Sequence, residues 1–307
     1  MFSRGGVLMK IAITGGSGFV GNELSSLLVN KGHEVFILTR SDRPSKGSVK
    51  MVQWLTDGSE PENHLQDIDA WVNLAGASIN EGRWTQEQKD KIYDSRMKAT
   101  DEVLRIINQV EKKPSVLVNA SAIGIYPPSE HALYTEQSEA RGSDFLAKTV
   151  EDWEKKADEA KQQGTRVAYG RFGIILGKEE GALPLMALPY KMGVGGQVGS
   201  GKQWVSWVHV SDVAAALLYA IENESINGPF NVTAPDPKQM NEFGKILGEV
   251  LHRPHWIPVP AFALKLALGD KSQLVLEGQR VMPDKLLTNG FSFKYPHLKE
   301  ALQNIYA

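Results

Sequence analysis

Cysteine is absent from the 307-residue sequence. That absence excludes disulfides, thiolate catalysis and cysteine-ligated metal centres. It also agrees with a reducing cytosol, though absence alone does not assign a compartment; a cytoplasmic protein is expected, and no metal site is read from the sequence. Long apolar runs are missing too, and none approaches the length of a membrane span. Met1 to Leu8 (MFSRGGVL) lacks the apolar core of a signal peptide and reads as an extension outside the fold, with Met9-Lys10 the more natural start. Neither sign of charge dominates: 34 Lys and Arg face 36 Asp and Glu, a formal net charge of −2. No basic surface argues for nucleic acid or an anionic membrane as partner. Internal repeats and low-complexity tracts are lacking. What is present is a 42% hydrophobic content, ample for a sizeable core. The length suits one large α/β domain, or one with a smaller appendage.

The organising stretch is Lys10-Ile-Ala-Ile-Thr-Gly-Gly-Ser-Gly-Phe-Val-Gly21. Ile11 to Ile13 form a short apolar run suited to a buried parallel strand. Gly15, Gly18 and Gly21 follow, with Ser17, Phe19 and Val20 among them. Leu24, Leu27 and Leu28 then recur at helical spacing. Strand, glycine turn and helix are the context of a dinucleotide site. A side chain on the turn would hold the pyrophosphate away from the backbone N–H groups and the helix N-terminus. A tight turn without a ligand is the alternative, and that context counts against it. Glu34 to Leu38 reads as the second strand. Beyond it, where an acidic residue would grip the ribose 2′-hydroxyl of NAD, stands Arg40. An arginine can pair with a 2′-phosphate, so the sequence leans to NADP; a solvated surface arginine is the alternative.

Further strands are expected at Val49 to Trp54, Ala70 to Leu74, Ser115 to Ala120 and Arg166 to Tyr169. Helices are expected over Thr85 to Asn108 and Asp144 to Gln163, the latter closed by Gly164. This alternation predicts an α/β fold, a Rossmann-like doubly wound parallel sheet. Leu74, Ala75 and Gly76 close the fourth strand, where small residues let cofactor or substrate approach the sheet edge. From Gly177 the texture changes. Gly193 to Gly201 reads as a mobile loop able to form a lid over substrate. Trp204 to Val210 alternates like a strand, and Ser211 or Asp212 is expected to cap a helix over Val213 to Ile221. The expected organisation is an NADP-binding Rossmann domain over 9–177 and a smaller C-terminal α/β substrate domain over 178–307, with 204–221 returning to the first.

Taken together, Thr14 to Gly21, Asn73 to Gly76, Ser121 to Tyr126, Arg171 to Gly177 and Val208 to Val213 resemble the extended short-chain dehydrogenase/reductases, the NAD(P)-dependent epimerases and dehydratases. More narrowly, Ser95-Arg96, Trp153-Glu154, Gly278 to Pro283 and Gly290 to Phe293 resemble an atypical "epimerase family protein" branch with a C-terminal segment of unknown function. The resemblance implies that Ser121 polarises the substrate oxygen, that Gly173 lines the cofactor site and that Lys148 holds the position of the catalytic lysine. That lysine normally lowers the pKa of a tyrosine four residues earlier. Here Asp144 and then Phe145 stand where the tyrosine belongs.

Tyr126, five residues beyond Ser121, is the first candidate to replace the missing acid; a packing tyrosine is the alternative. Arg96, on the helix expected along the cofactor cleft, is counted among the cofactor contacts: it either clamps a phosphate or substrate carboxylate or is a helix-surface charge. His209 reads as structural. The function expected is that of an NADP(H)-dependent oxidoreductase or epimerase-like enzyme acting on a small polar substrate, such as a nucleotide-linked sugar, as a monomer or homodimer. The alternatives are an NADP(H)-binding regulatory or redox-sensing protein without turnover, and an interaction module on a vestigial fold.

Overall fold

In the computed structural model, residues 8–41 and 43–307 are described. Of the expected extension at residues 1–8, residues 1–7 lie outside them and Leu8 is exposed. The first half of the chain alternates strand and helix: β1 (Lys10–Thr14), α1 (Phe19–Asn30), β2 (Glu34–Thr39), β3 (Val49–Gln53), β4 (Ala70–Asn73), α2 (Gln86–Gln109), β5 (Val116–Ala122), β6 (Leu133–Tyr134), α3 (Phe145–Ala157) and β7 (Arg166–Phe172). The second half holds β8 (Ile174–Leu176), α4 (Leu183–Lys191), β9 (Trp204–Val205), β10 (Trp207–His209), α5 (Val210–Glu222), β11 (Gly228–Val232), β12 (Lys238–Gln239) and α6 (Met240–Leu251). It ends with α7 (Ala261–Leu268), α8 (Gln273–Leu276), β13 (Arg280–Val281), α9 (Asp284–Thr288) and α10 (Leu298–Tyr306).

Seven strands form one parallel sheet in the order β3-β2-β1-β4-β5-β7-β11. Its strands read as continuous apolar runs because both faces are covered. Ile11 and Ile13 point into a core with Leu24 and Leu28 of α1 and Val213 and Leu217 of α5. Ala12, between them, points to the opposite core with Val103, Leu104 and Ile107 of α2. The strand order reverses between β1 and β4, and in open α/β sheets ligands bind at that crevice, outside the carboxyl ends of the strands.

A second core gathers Leu183, Ala187 and Tyr190 of α4, Phe243 and Leu247 of α6, and Leu298, Leu302 and Ile305 of α10. The expected strand over 204–210 is broken: β9 pairs with β12, whereas β10 pairs with β8. Helix α5 then returns to the large sheet, and so does β11, which pairs with β7. The tail is woven through both parts. Strand β13 pairs with β6, and Leu286 and Phe291 are buried in the core that holds α5.

Candidate functional site

At the carboxyl end of β1 the three motif glycines do three different things. Gly15 adopts φ +70, and a Cβ there would lie 2.8 Å from the Leu74 carbonyl oxygen. Gly21 lets α1 press onto the turn, since its Cβ would lie 2.4 Å from the Gly15 oxygen. Gly18 is exposed, and its Cβ would meet only that same oxygen, at 3.3 Å. It is also the N-cap of α1, with no side chain capping the helix and no acidic residue in its first turn. The first N–H groups of the helix and its positive dipole end are therefore left for an anion.

A buried polar chain aligns the strand ends beneath this turn. Thr14 Oγ1 donates to Asn73 Oδ1 (2.6 Å), and Asn73 Nδ2 donates to Asn119 Oδ1 (2.6 Å) and Thr100 Oγ1 (3.1 Å). Trp153 Nε1 ties α3 to the same Thr100 hydroxyl at 3.0 Å. Above it, Leu74 to Ala77 leave the end of β4. The loop is held to α2 by Ser95 Oγ, which accepts from Ala77 N (2.9 Å), and by Arg96 Nη1, which donates to the Ala77 oxygen (3.1 Å). Arg40 is exposed just beyond β2, at the strand end where the sequence places it.

Ser121, near the end of β5, donates its hydroxyl to Glu154 Oε1 at 2.6 Å. Arg171 of β7 grips the same carboxylate with two bonds, Nε to Oε1 (2.7 Å) and Nη2 to Oε2 (2.8 Å). Burial works against the Arg171 charge, and the ion pair with Glu154 outweighs it, holding its pKa above the ordinary value. Glu154 and Arg171 belong to the Trp153-Glu154 and Arg171 to Gly177 motifs of the family resemblance, but the sequence gives neither a site role, because their pairing joins α3 to β7.

Tyr126 requires a correction. Its ring is 0% exposed. Its hydroxyl accepts from Arg171 Nη1 (2.9 Å) and lies 3.0 Å from both Asn231 Oδ1 and the Thr135 oxygen. Burial pushes its pKa up, against the opposing pull of Arg171. The expected open position at the nicotinamide edge is not the one it occupies; it is a link in a sealed network. Asp144, in the tyrosine slot, caps α3 by accepting from Leu146 N (2.7 Å) and Ala147 N (3.0 Å). The Lys148 side chain is 71% exposed and pairs with Asp152 at 3.2 Å. On the side where a Cβ would lie, Gly173 meets the Ser206 oxygen at 2.3 Å, so strand packing accounts for this glycine.

Two further expectations change. The cap of α5 is His209, whose Nδ1 accepts from Ser211 N at 3.1 Å, rather than Ser211 or Asp212. Burial, with Lys294 adding to it, brings His209 down to about 4. Asp212 instead accepts Lys294 N (2.7 Å) and Tyr295 N (2.9 Å), tying the tail to α5. The 193–201 loop, expected as a lid, is closely packed: a Cβ on Gly195 would lie 2.3 Å from the Tyr190 ring, and one on Gly196 2.1 Å from the Ile257 oxygen.

The sequence matches the model of the NAD dependent epimerase/dehydratase family over residues 11–233 and that of a domain of unknown function (DUF1731) over 259–305. It is 49% identical over 300 residues to the epimerase family protein YfhF of Bacillus subtilis strain 168, covering 97% of this chain and 98% of that one. The fold is similar to that of human epimerase family protein SDR39U1 (isoform 2), solved with NADPH. There the TM-score is 0.87 at 31% identity, over 97% of this chain and 99% of the other. It is also similar to UDP-glucose 4-epimerase of Thermus thermophilus, solved with NAD, at TM-score 0.76 and 19% identity over 97% of both chains; this likeness concerns the fold alone.

Proposed function

The chain belongs to the NAD dependent epimerase/dehydratase family, and from that premise we propose that it is an NADP(H)-dependent oxidoreductase or epimerase-like enzyme acting on a small polar substrate. The single observation that carries the reading is the uncapped N-terminus of α1 beside an exposed Gly18, a cradle that a side chain would fill. The residues present fit a dinucleotide. Gly15, Ser17, Gly18, Phe19, Val20 and Gly21 would receive the pyrophosphate, Leu74, Ala75 and Gly76 would wall the crevice, and Arg40 would meet a 2′-phosphate. The human protein SDR39U1 was solved with NADPH, which supports the same choice here.

When bound, the cofactor supplies a hydride donor or acceptor. The chain's own part falls to Ser121. Its proton is directed at Glu154, so its lone pairs remain to accept from a substrate hydroxyl. Arg171 fixes the carboxylate in place. Binding without turnover is the second reading. It is favoured by the sealed Tyr126 hydroxyl, which takes the expected acid out of play, and by Asp144, which caps a helix where the tyrosine would stand.

The test compares thermal shifts with NADPH and NADH. NADPH should stabilise more, since a ligand at about one hundred times its dissociation constant adds about 2.7 kcal/mol. Arg40→Ala should erase the difference, and equal stabilisation of the unaltered protein by NADH would refute the NADP assignment. Mass spectrometry of small molecules retained by protein purified from cells would separate turnover from binding alone: a retained oxidised and reduced substrate pair favours the enzyme, cofactor alone the second reading.

A further inference from the structure

Two of the arginines drawn into this fold are satisfied by the protein. Arg171 is paired with Glu154, and Arg166 donates to the carbonyls of Ala220, Ile221 and Ile226 at the end of α5. Arg96 is different. Its Nη1 donates to the Ile92 oxygen (2.8 Å) and the Ala77 oxygen (3.1 Å), and among the described residues no carboxylate pairs with it. Its Nε and Nη2 have no protein partner among them either. The guanidinium lies against Gly76, where a Cβ would come within 3.1 Å of Cζ, and over the Trp153 ring at 5.1 Å. Burial brings its pKa down to about 10, with no acid to hold it up. Arg96 is half-buried, so its unclaimed N–H groups still meet solvent, and a cation held there without a counter-charge favours an anion. A planar fork with an unclaimed edge is the geometry that receives a carboxylate or phosphate.

Its location says which anion. The Leu74–Ala75 backbone touches the Gly15 turn on one side, and Gly76 touches Arg96 on the other. Strand β5, which carries Ser121, is the neighbour of β4 in the sheet. Arg96 is thus set beyond the pyrophosphate turn, on the wall that leads toward Ser121. We infer that Arg96 receives the acid group, a carboxylate or a phosphate, of the small molecule that occupies the cleft beside the cofactor. The inference rests on the NADP(H) reading and narrows its substrate to small anions. It moves Arg96 from the cofactor contacts expected of it to the substrate.

The experiment uses the full chain saturated with NADP+, titrated calorimetrically with oxalate and, separately, with inorganic phosphate in a chloride-poor buffer. At least one should bind, Arg96→Gln should weaken it about tenfold or more, and Arg96→Lys, a point charge without the fork, should weaken it less. NADPH affinity should stay within about threefold in Arg96→Gln, since a cofactor contact would cost more. No binding of either anion, or equal binding by Arg96→Gln, overturns the inference. So does a tenfold or greater loss of NADPH affinity in Arg96→Gln, on the order of 1.4 kcal/mol, which would return Arg96 to the cofactor. Should Arg96→Gln fail to fold, the unaltered protein decides: phenylglyoxal modification of Arg96, mapped by mass spectrometry, should be slowed by the anion, and an unslowed reaction overturns the inference. If the unaltered chain does not bind NADPH, the cofactor reading fails, and the same anion titration of the unloaded chain judges Arg96 separately.

Discussion

A single atom's clearance separates the glycines of the turn. At Gly18, φ −86 and ψ −179 are extended values that a β-branched residue adopts, and the nearest approach to a new Cβ is 3.3 Å. Gly18→Val should therefore fold and lose cofactor affinity by about 100-fold or more, because its methyls stand in the ligand's space. Gly21→Val should fail to fold, since its Cβ would sit 2.4 Å from a backbone oxygen. Circular dichroism beside NADPH titration of both variants checks the pair. Tyr126→Phe leaves Arg171 Nη1 and its neighbours one buried partner short. It should cost about 1–3 kcal/mol in urea unfolding with NADPH affinity unchanged. Loss of NADPH affinity in that variant would put the hydroxyl back at the cofactor.

Among the elements, α5 carries a titrating cap. His209 accepts from Ser211 N only when Nδ1 is unprotonated, and burial holds its pKa at about 4 against 6.5 in water. The fold favours the neutral ring, so this stabilisation is full above pH 6.5 and is lost as pH falls through about 4. The loss amounts to about 3 kcal/mol. His209→Asn keeps a capping oxygen and removes the titration. Urea unfolding at neutral and mildly acid pH should show a smaller acid loss for the variant than for the unaltered protein. The strands of the large sheet and the glycine turn were legible in the sequence because apolar runs and glycine spacing are local signals. The cap was not, because Ser and Asp outrank His as caps and only the fold shows Asp212 occupied 82 residues away. The Ser121–Glu154 bond was hidden for the same reason: its partners are 33 residues apart on different elements. Tyr126 misled because closeness in sequence to Ser121 says nothing about which way a ring turns after a strand ends.

For the molecule as a whole, the two family matches, 11–233 and 259–305, are not two folding units. Asp212 is bonded to the backbone of residues 294 and 295, and Leu286 and Phe291 fill the core around α5. The full chain should unfold in one cooperative urea transition, reported alike by fluorescence and circular dichroism. A chain ending at residue 258 should expose that core and aggregate rather than yield a smaller folded protein. The same weave sets the order of events at the ribosome. Translation delivers about 5–20 residues per second, so the apolar flank of α5 waits, uncovered, until residues 286 to 295 emerge. Nascent chains of this protein should therefore be clients of chaperones from the emergence of α5 until the tail is made, and a premature stop in the tail should leave a substrate for proteases.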